Sequence, residues 1–182
     1  SSHMIRKSVI AVLSCAAVVV GFMCASTPAG SSQFPGSHGK LAFVSQRDST
    51  DWQIWTSNAD GSGMTRLTND SSYSDYPSWS PDGTKIATAS NDGTARVWNS
   101  STGSTLLTLA GHEVTKYVIL VAMSPDGSKI ATASSDGTAR VWSSSSGNTL
   151  SIFTGHTDWV YGVAWSPDRS KIATASSDGT AR

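Results

Sequence analysis

The sequence predicts an all-β fold assembled from repeated four-stranded antiparallel sheets, and three observations support this prediction. A twelve-residue phrase of the form KIATAS-x-DGTAR begins at Lys85, Lys129 and Lys171, at spacings of 44 and 42 residues. A Ser-Pro-Asp turn begins five residues before each copy. The acidic residues are twelve Asp and one Glu, Glu113, a composition that favours turns and strands over helices. Because one β-propeller blade takes about 40–45 residues, the repeat predicts a β-propeller.

Each repeat is interpreted as four short strands joined by tight turns. The first two strand-forming segments are residues 160–165 and 171–176, read from the last copy. The third and fourth are residues 138–142 and 149–153, read from the copy before it. The Ser-Pro-Asp turn joins the first two strands, and a Ser-Asp-Gly turn joins the next two, as the Asp-Gly preference of short hairpins predicts. Four strands in a meander form one blade, which buries its faces only against neighbouring blades.

Composition limits the classes of function. With 182 residues, 38% of them hydrophobic, the chain has room for one ordinary domain with a core. Thirteen basic residues balance thirteen acidic ones, so no overall field attracts nucleic acid or an anionic membrane. Both cysteines, Cys15 and Cys24, precede the repeats, which excludes disulfide or thiol chemistry from the repeated part.

The first 30 residues differ in character from the rest of the chain. Residues 1–3 are interpreted as a cloning remnant, and residues 4–30 as a signal peptide or N-terminal membrane anchor, because basic residues precede an apolar run and a small-residue segment. Residues 31–38 form a linker. We therefore expect an exported protein, periplasmic, secreted or anchored, that contacts membrane only through this segment. The predicted repeat units of the propeller, 39–182, are 39–83, 84–127, 128–169 and a partial unit 170–182.

Residues 80–182 combine the two turn phrases with Gly-His pairs and an Ala-Arg-Val-Trp strand, and in this combination they resemble the WD-repeat family. The resemblance implies a protein-interaction scaffold. It also implies a hydrogen-bonded tetrad of His, Thr, Asp and Trp within a repeat, which by position is His112, Thr132, Asp136 and Trp142. The repeats on either side have partial tetrads, formed by Thr88, Asp92 and Trp98 before it and by His156, Thr174 and Asp178 after it.

Residues 39–83 resemble a different propeller repeat, the TolB type of bacterial periplasmic proteins. The similarity lies in the order of GKLAFVSQRD, QIWTSNADGSGMTRLTND and DYPSWSPDG. Lys40 and Lys85 are 45 residues apart, so this unit is in register with the others. The resemblance implies a second candidate function, in which the channel of an envelope propeller binds a peptide or small ligand.

The strand count predicts an incomplete propeller of about three blades plus extra strands, whereas closed propellers have about four to eight. Two explanations remain open. The chain is a fragment, because it stops in mid-strand where earlier copies continue with Val-Trp. Alternatively it self-assembles, and segment 159–165 of one chain completes the three-stranded blade that starts at Leu41 of another.

No catalytic motif, metal-ligand spacing or cofactor motif occurs in the sequence, so we expect a protein without enzyme activity, metal or cofactor. The remaining expectation is binding of a protein or peptide partner on the face that carries the His and Ser-Asp-Gly loops. Candidate partner-binding residues of this rim are Arg47, Asp51, Trp52, Tyr73, Tyr76, Glu113, Lys116, Asp158 and Trp159. For Trp159 and Tyr76, packing between blades at the start of an inner strand is the alternative.

Overall fold

A computed structural model describes strand Ile10–Ala11 and residues 40–47, 52–69 and 74–182. All regular structure in this part of the chain is β-strand. The strands, numbered in chain order, are β1 (Ile10–Ala11), β2 (Leu41–Ser45), β3 (Gln53–Ser57), β4 (Thr65–Arg66), β5 (Ser74–Trp79), β6 (Lys85–Ser90), β7 (Thr94–Asn99), β8 (Thr105–Ala110), β9 (Val118–Met123), β10 (Lys129–Ser134), β11 (Ala139–Ser143), β12 (Thr149–Phe153), β13 (Val160–Trp165) and β14 (Ile172–Ser176).

The strands form four antiparallel meanders. The first sheet contains β1 to β4, the second β5 to β8 and the third β9 to β12. Among the described residues the fourth sheet consists of β13 and β14, with an isolated bridge from Ala175 to Ala181. The first strands of neighbouring sheets contact one another, β5 with β9 and β9 with β13, as the inner strands of propeller blades do. The predicted all-β architecture of antiparallel blades, incomplete in this chain, is confirmed. Sheet and repeat boundaries do not coincide, because the second, third and fourth sheets each take their first strand from the end of the preceding repeat.

Strand alternation explains how identical repeats build a continuous core. In the third sheet Ile130 lies opposite Trp142, and both side chains pack against the second sheet. The neighbouring pair, Ala131 and Val141, points to the other face and packs against the fourth sheet. Each blade therefore presents a face with Ile and Trp to one neighbour and a small-residue face to the other.

The second sheet repeats this arrangement. Ile86 lies opposite Trp98 and packs against the first sheet, while Ala87 and Val97 face the third. All four side chains are buried. Trp98 and Trp142 therefore occupy equivalent positions in successive blades, as the repeat predicts.

The edge of β2 is occupied by the chain itself. Ile10 pairs with Val44 and Ala11 with Phe43, so β1 fills the position that the self-assembly hypothesis gives to a second chain. The predicted leader and linker otherwise lie outside the described residues. Within the described part of the chain, no helix has the length and hydropathy needed to span a membrane.

The fourth sheet covers only part of the third. Leu109 on β8 is fully buried against the third sheet. Phe153 has the equivalent place on β12, because Leu109 pairs with Ala95 and Phe153 with Ala139, yet its side chain is 43% exposed. The two-stranded fourth sheet does not extend over it.

Candidate functional site

The four residues of the predicted tetrad lie together in the third sheet. His112 follows β8, Thr132 lies on β10, and Trp142 lies on β11. The Nδ1 atom of His112 is 2.8 Å from a carboxylate oxygen of Asp136, and its Nε2 atom is 2.7 Å from the hydroxyl of Thr132. The indole Nε1 of Trp142 donates to the same hydroxyl at 2.9 Å. These bonds connect a loop, a tight turn and two strands of one blade.

The charges of the tetrad define the direction of each hydrogen bond. Burial lowers the pKa of His112 and outweighs the opposing effect of Asp136, so the imidazole is neutral at pH 7. Burial raises the pKa of Asp136, but hydrogen bonds from Thr138 and His112 outweigh it and lower the pKa to about 2. The ionised carboxylate accepts the proton of Nδ1, which leaves Nε2 to accept from Thr132. Every polar side-chain atom of the tetrad thus has a partner.

The two partial tetrads differ in which side chain the aspartate contacts. In the fourth sheet His156 contacts Asp178 at 2.8 Å and Thr174 at 2.9 Å. In the second sheet Trp98 donates to Thr88 at 2.9 Å. Asp92, with no histidine beside it, pairs instead with Arg96 at 2.6 Å. In place of the histidine, Thr68 donates its hydroxyl to Gln53 at 2.7 Å.

The tetrad has the residue types of a nucleophile with its base but not the access that catalysis requires. Thr132 is 0% exposed, and its hydroxyl already bonds both His112 and Trp142. A nucleophile must reach its substrate, whereas this hydroxyl is enclosed between two sheets. The described residues contain no cluster of His, Cys, Asp or Glu arranged to hold a metal ion. The hydrogen bonds of the tetrad hold a loop, a turn and two strands of one blade together.

A cavity of about 260 Å³ opens beside the tetrads, between the third and fourth sheets on the face that carries the histidines. We call it the interblade groove. Its lining residues come from loops of both sheets and are Lys116, Ser135, Asp136, Gly137, His156, Thr157, Asp158 and Trp159. Three of the predicted rim residues, Lys116, Asp158 and Trp159, are among them. The side chain of Trp159 is 48% exposed.

Loop length explains why the corresponding place between the second and third sheets is filled. Five residues separate His112 from β9, whereas three separate His156 from β13. The longer loop lies against Gly93, where an added Cβ would be 2.8 Å from the carbonyl oxygen of Lys116. At the equivalent Gly137, the nearest atom to an added Cβ is 3.5 Å away. Two fewer residues thus leave space beside Gly137.

The other predicted rim residues are dispersed. The guanidinium of Arg47 lies over the rings of Phe43 and Trp55, at 5.2 and 4.8 Å. Trp52 packs against the core between the first and second sheets. Glu113 is exposed and accepts a hydrogen bond from Thr115. Asp51 and Tyr73 lie outside the described residues.

Trp159 and Tyr76 are also expected to pack between blades, but about half of each side chain is exposed, 48% and 41%. Trp159 ends the loop before β13. Tyr76 lies within β5, at an irregularity between Asp75 and Ser78, with a φ of 48° and 41% exposure. Such a bulge directs its side chain away from the regular sheet faces.

Sequence reasoning did not identify the groove residues that belong to the repeats. Ser135 and Gly137 belong to the repeated Ser-Asp-Gly turn, which indicates scaffold, whereas Thr157 begins a non-repeated loop that the sequence assigns to the rim. The signal that distinguishes them is the difference in loop length after the two histidines, which is readable from the sequence. Arg140 occupies the repeat position that also holds Arg96 and Arg182. Its Nε atom is buried without a hydrogen-bond partner among the described residues, and its guanidinium lies 5.9 Å from the Trp142 ring.

Stacked four-stranded meanders whose first strands contact one another, each braced by hydrogen bonds between turn and strand, define the chain as a β-propeller protein. The sequence model of the family described as "WD40: WD domain, G-beta repeat" matches residues 75–99, 103–143 and 147–182. The chain therefore belongs to the WD40 repeat family. The comparison with curated proteins gives no match.

Proposed function

We propose that this chain is a non-enzymatic protein-interaction scaffold whose binding face carries the interblade groove. Membership of the WD40 repeat family suggests a protein-interaction scaffold in general, without indicating which surface binds. The observation that carries the specific proposal is the groove itself, where Trp159 is half exposed beside buried tetrads whose hydrogen bonds are satisfied. Aromatic anchors at the edge of a rigid cavity are typical of binding hot spots.

The size of the groove favours a protein partner over a metabolite. Small-molecule sites usually enclose about 300–1,000 Å³ and are mainly apolar. The groove has about 260 Å³ and is lined by two carboxylates, an ammonium group and hydroxyls. It accommodates one side chain of a larger partner whose remaining contacts lie on the surrounding rim.

A capture experiment with two matched variants tests the proposal. Trp159→Ala removes the exposed ring at the groove, whereas Tyr161→Ala removes an equally exposed ring, 53% against 48%, outside the groove. Proteins retained by the wild-type chain should be identified by mass spectrometry and re-tested in purified form. We expect a specific partner that Trp159→Ala loses and Tyr161→Ala keeps. The same set of retained proteins with all three chains would refute the binding face.

We further propose that the protein is exported, with residues 4–30 acting as a signal peptide or anchor. The order of basic, apolar and small residues supports this. Fractionation of expressing bacteria, with N-terminal mass spectrometry of the mature chain, tests it. Retention of the uncleaved chain in the cytoplasm would contradict both forms of the proposal.

A second candidate is a TolB-like propeller that binds a peptide or small ligand in its channel. It is favoured by the first sheet, which precedes the family match at residue 75 and has Phe43 where the later blades have the tetrad threonine. Thermal stabilisation by a small ligand in the absence of any protein partner would favour this candidate. Self-assembly is not part of this proposal, because in the uncleaved chain β1 occupies the edge of β2 that it requires.

A further inference from the structure

The charges of the interblade groove indicate what kind of side chain it receives. We propose that the groove binds one cationic side chain, arginine or lysine, of a partner segment. This inference rests on the proposed binding face and adds the chemistry of its occupant. It follows from three properties of the described residues: the balance of charge, the exposed indole and the size of the cavity.

The lining contains more negative than positive charge. Asp136 is held ionised by its hydrogen bonds, and Asp158 adds a second carboxylate, against the single ammonium of Lys116. Asp136 also bonds His112, but a neutral imidazole does not cancel its charge. Asp158 uses one oxygen to accept the backbone N–H of Trp159 at 2.7 Å. Among the described residues, its other oxygen has no hydrogen-bond or ion-pair partner.

The indole of Trp159 supplies a surface that favours cations. Tryptophan gives the strongest cation–π attraction of the aromatic side chains. Its backbone is fixed on both sides, because its N–H donates to Asp158 and its carbonyl accepts from Ser177 at 2.9 Å. A backbone that is fixed before binding reduces the conformational entropy lost when a ligand stacks on the ring.

The competing possibility is that the groove receives an acidic side chain, which would pair with Lys116. A volume of about 260 Å³ admits one long side chain and not a folded element. An acidic side chain would pair with Lys116 and be repelled by the carboxylates. Removal of the Asp158 charge should therefore weaken binding of a cationic side chain and strengthen binding of an acidic one. Removal of the Lys116 charge should have the reverse effects.

Titration of the chain with short capped peptides tests the inference. The probes are acetyl-Gly-Gly-Xaa-Gly-Gly-amide peptides with Arg, Lys, Gln or Glu at Xaa, and the readout is the Trp159 indole N–H in a ¹⁵N–¹H spectrum. We expect the Arg and Lys peptides to shift this signal at lower concentration than the Gln and Glu peptides. Trp159→Phe assigns the resonance, and the hydrogen-bonded indoles of Trp98 and Trp142 serve as internal references.

Three charge variants give the sharper result. Asp158→Asn keeps the acceptor for the Trp159 N–H and should weaken binding of the Arg peptide about two- to five-fold. Lys116→Gln should strengthen it by a similar factor. Asp168→Asn removes a negative charge in the turn between β13 and β14, outside the groove, and should leave the affinity unchanged.

The outcomes separate this inference from the proposed function. Preference for the Glu peptide, equal binding of all four peptides, or reversed effects of the Asp158 and Lys116 variants would overturn the cationic occupant. Absence of any shift at Trp159, while a captured protein still depends on Trp159, would also overturn it and leave the binding face intact. A captured partner that is indifferent to Trp159→Ala would overturn the binding face itself.

Discussion

Replacement of Thr132 by valine measures how much the complete tetrad stabilises its blade. The change keeps the shape of the side chain but removes a hydroxyl that bonds both His112 and Trp142, and all three side chains are buried. Thr88→Val at the equivalent position affects only the indole N–H of Trp98. A buried polar group that loses its partner costs about 1–3 kcal/mol. Thr132→Val should therefore reduce the free energy of unfolding by about 4 kcal/mol, and Thr88→Val by about 2 kcal/mol.

Urea denaturation followed by far-UV circular dichroism gives both values. The m-value should remain constant, because neither variant changes the surface exposed on unfolding. Thr149→Val is the control for the substitution itself, since Thr149 is exposed on the outer strand of the same sheet. Equal losses for Thr132→Val and Thr88→Val would refute the additional role of the histidine in the third sheet.

Three further predictions concern individual positions. Gly93→Ala should cost about 3 kcal/mol and Gly179→Ala about 1 kcal/mol by urea denaturation, because both have a φ of 82° but only the Cβ at 93 meets a backbone oxygen, at 2.8 Å. Leu109→Ala should cost about 3 kcal/mol and Phe153→Ala about 1 kcal/mol in the same assay, because only Leu109 is covered by the next sheet; equal costs would show that Phe153 is covered in solution. Acidification from pH 7 to pH 5 should lower the free energy of unfolding, since His112 gains its proton near pH 6.5 in the unfolded chain and only at lower pH when buried. His112→Gln should reduce the dependence of this free energy on pH over the same range. An unchanged dependence in the variant would contradict a neutral imidazole in the folded protein.

The repeated phrase is sufficient to predict the regular part of the fold. Because KIATAS and the following Ala-Arg-Val-Trp alternate small and large side chains, their two faces are determined before any tertiary contact is known. The placement of Ile130 with Trp142 on one face, and of Ala131 with Val141 on the other, follows from this alternation. The positions of the tetrad residues required the family resemblance, since spacing alone does not bring His112 to Thr132 across 20 residues.

Two features could not be predicted from the repeat because they depend on departures from it. The pairing of Ile10–Ala11 with β2 lies within a segment whose hydropathy predicts a leader. The groove beside Gly137 results from a two-residue difference between loops, and its effect depends on backbone distances rather than on residue types. Lys116, Asp158 and Trp159 were identified as rim residues, but only the loop difference brings them to one cavity.

Hydrogen exchange of the indole N–H groups tests the central claim most directly, namely that equivalent buried blades support one open groove. The structure places the N–H groups of Trp98 and Trp142 in hydrogen bonds to buried threonines, while Trp159 is half exposed. We expect slow and similar exchange for Trp98 and Trp142, and fast exchange for Trp159. Rapid exchange of Trp98 and Trp142, or protection of Trp159 equal to theirs, would contradict the account.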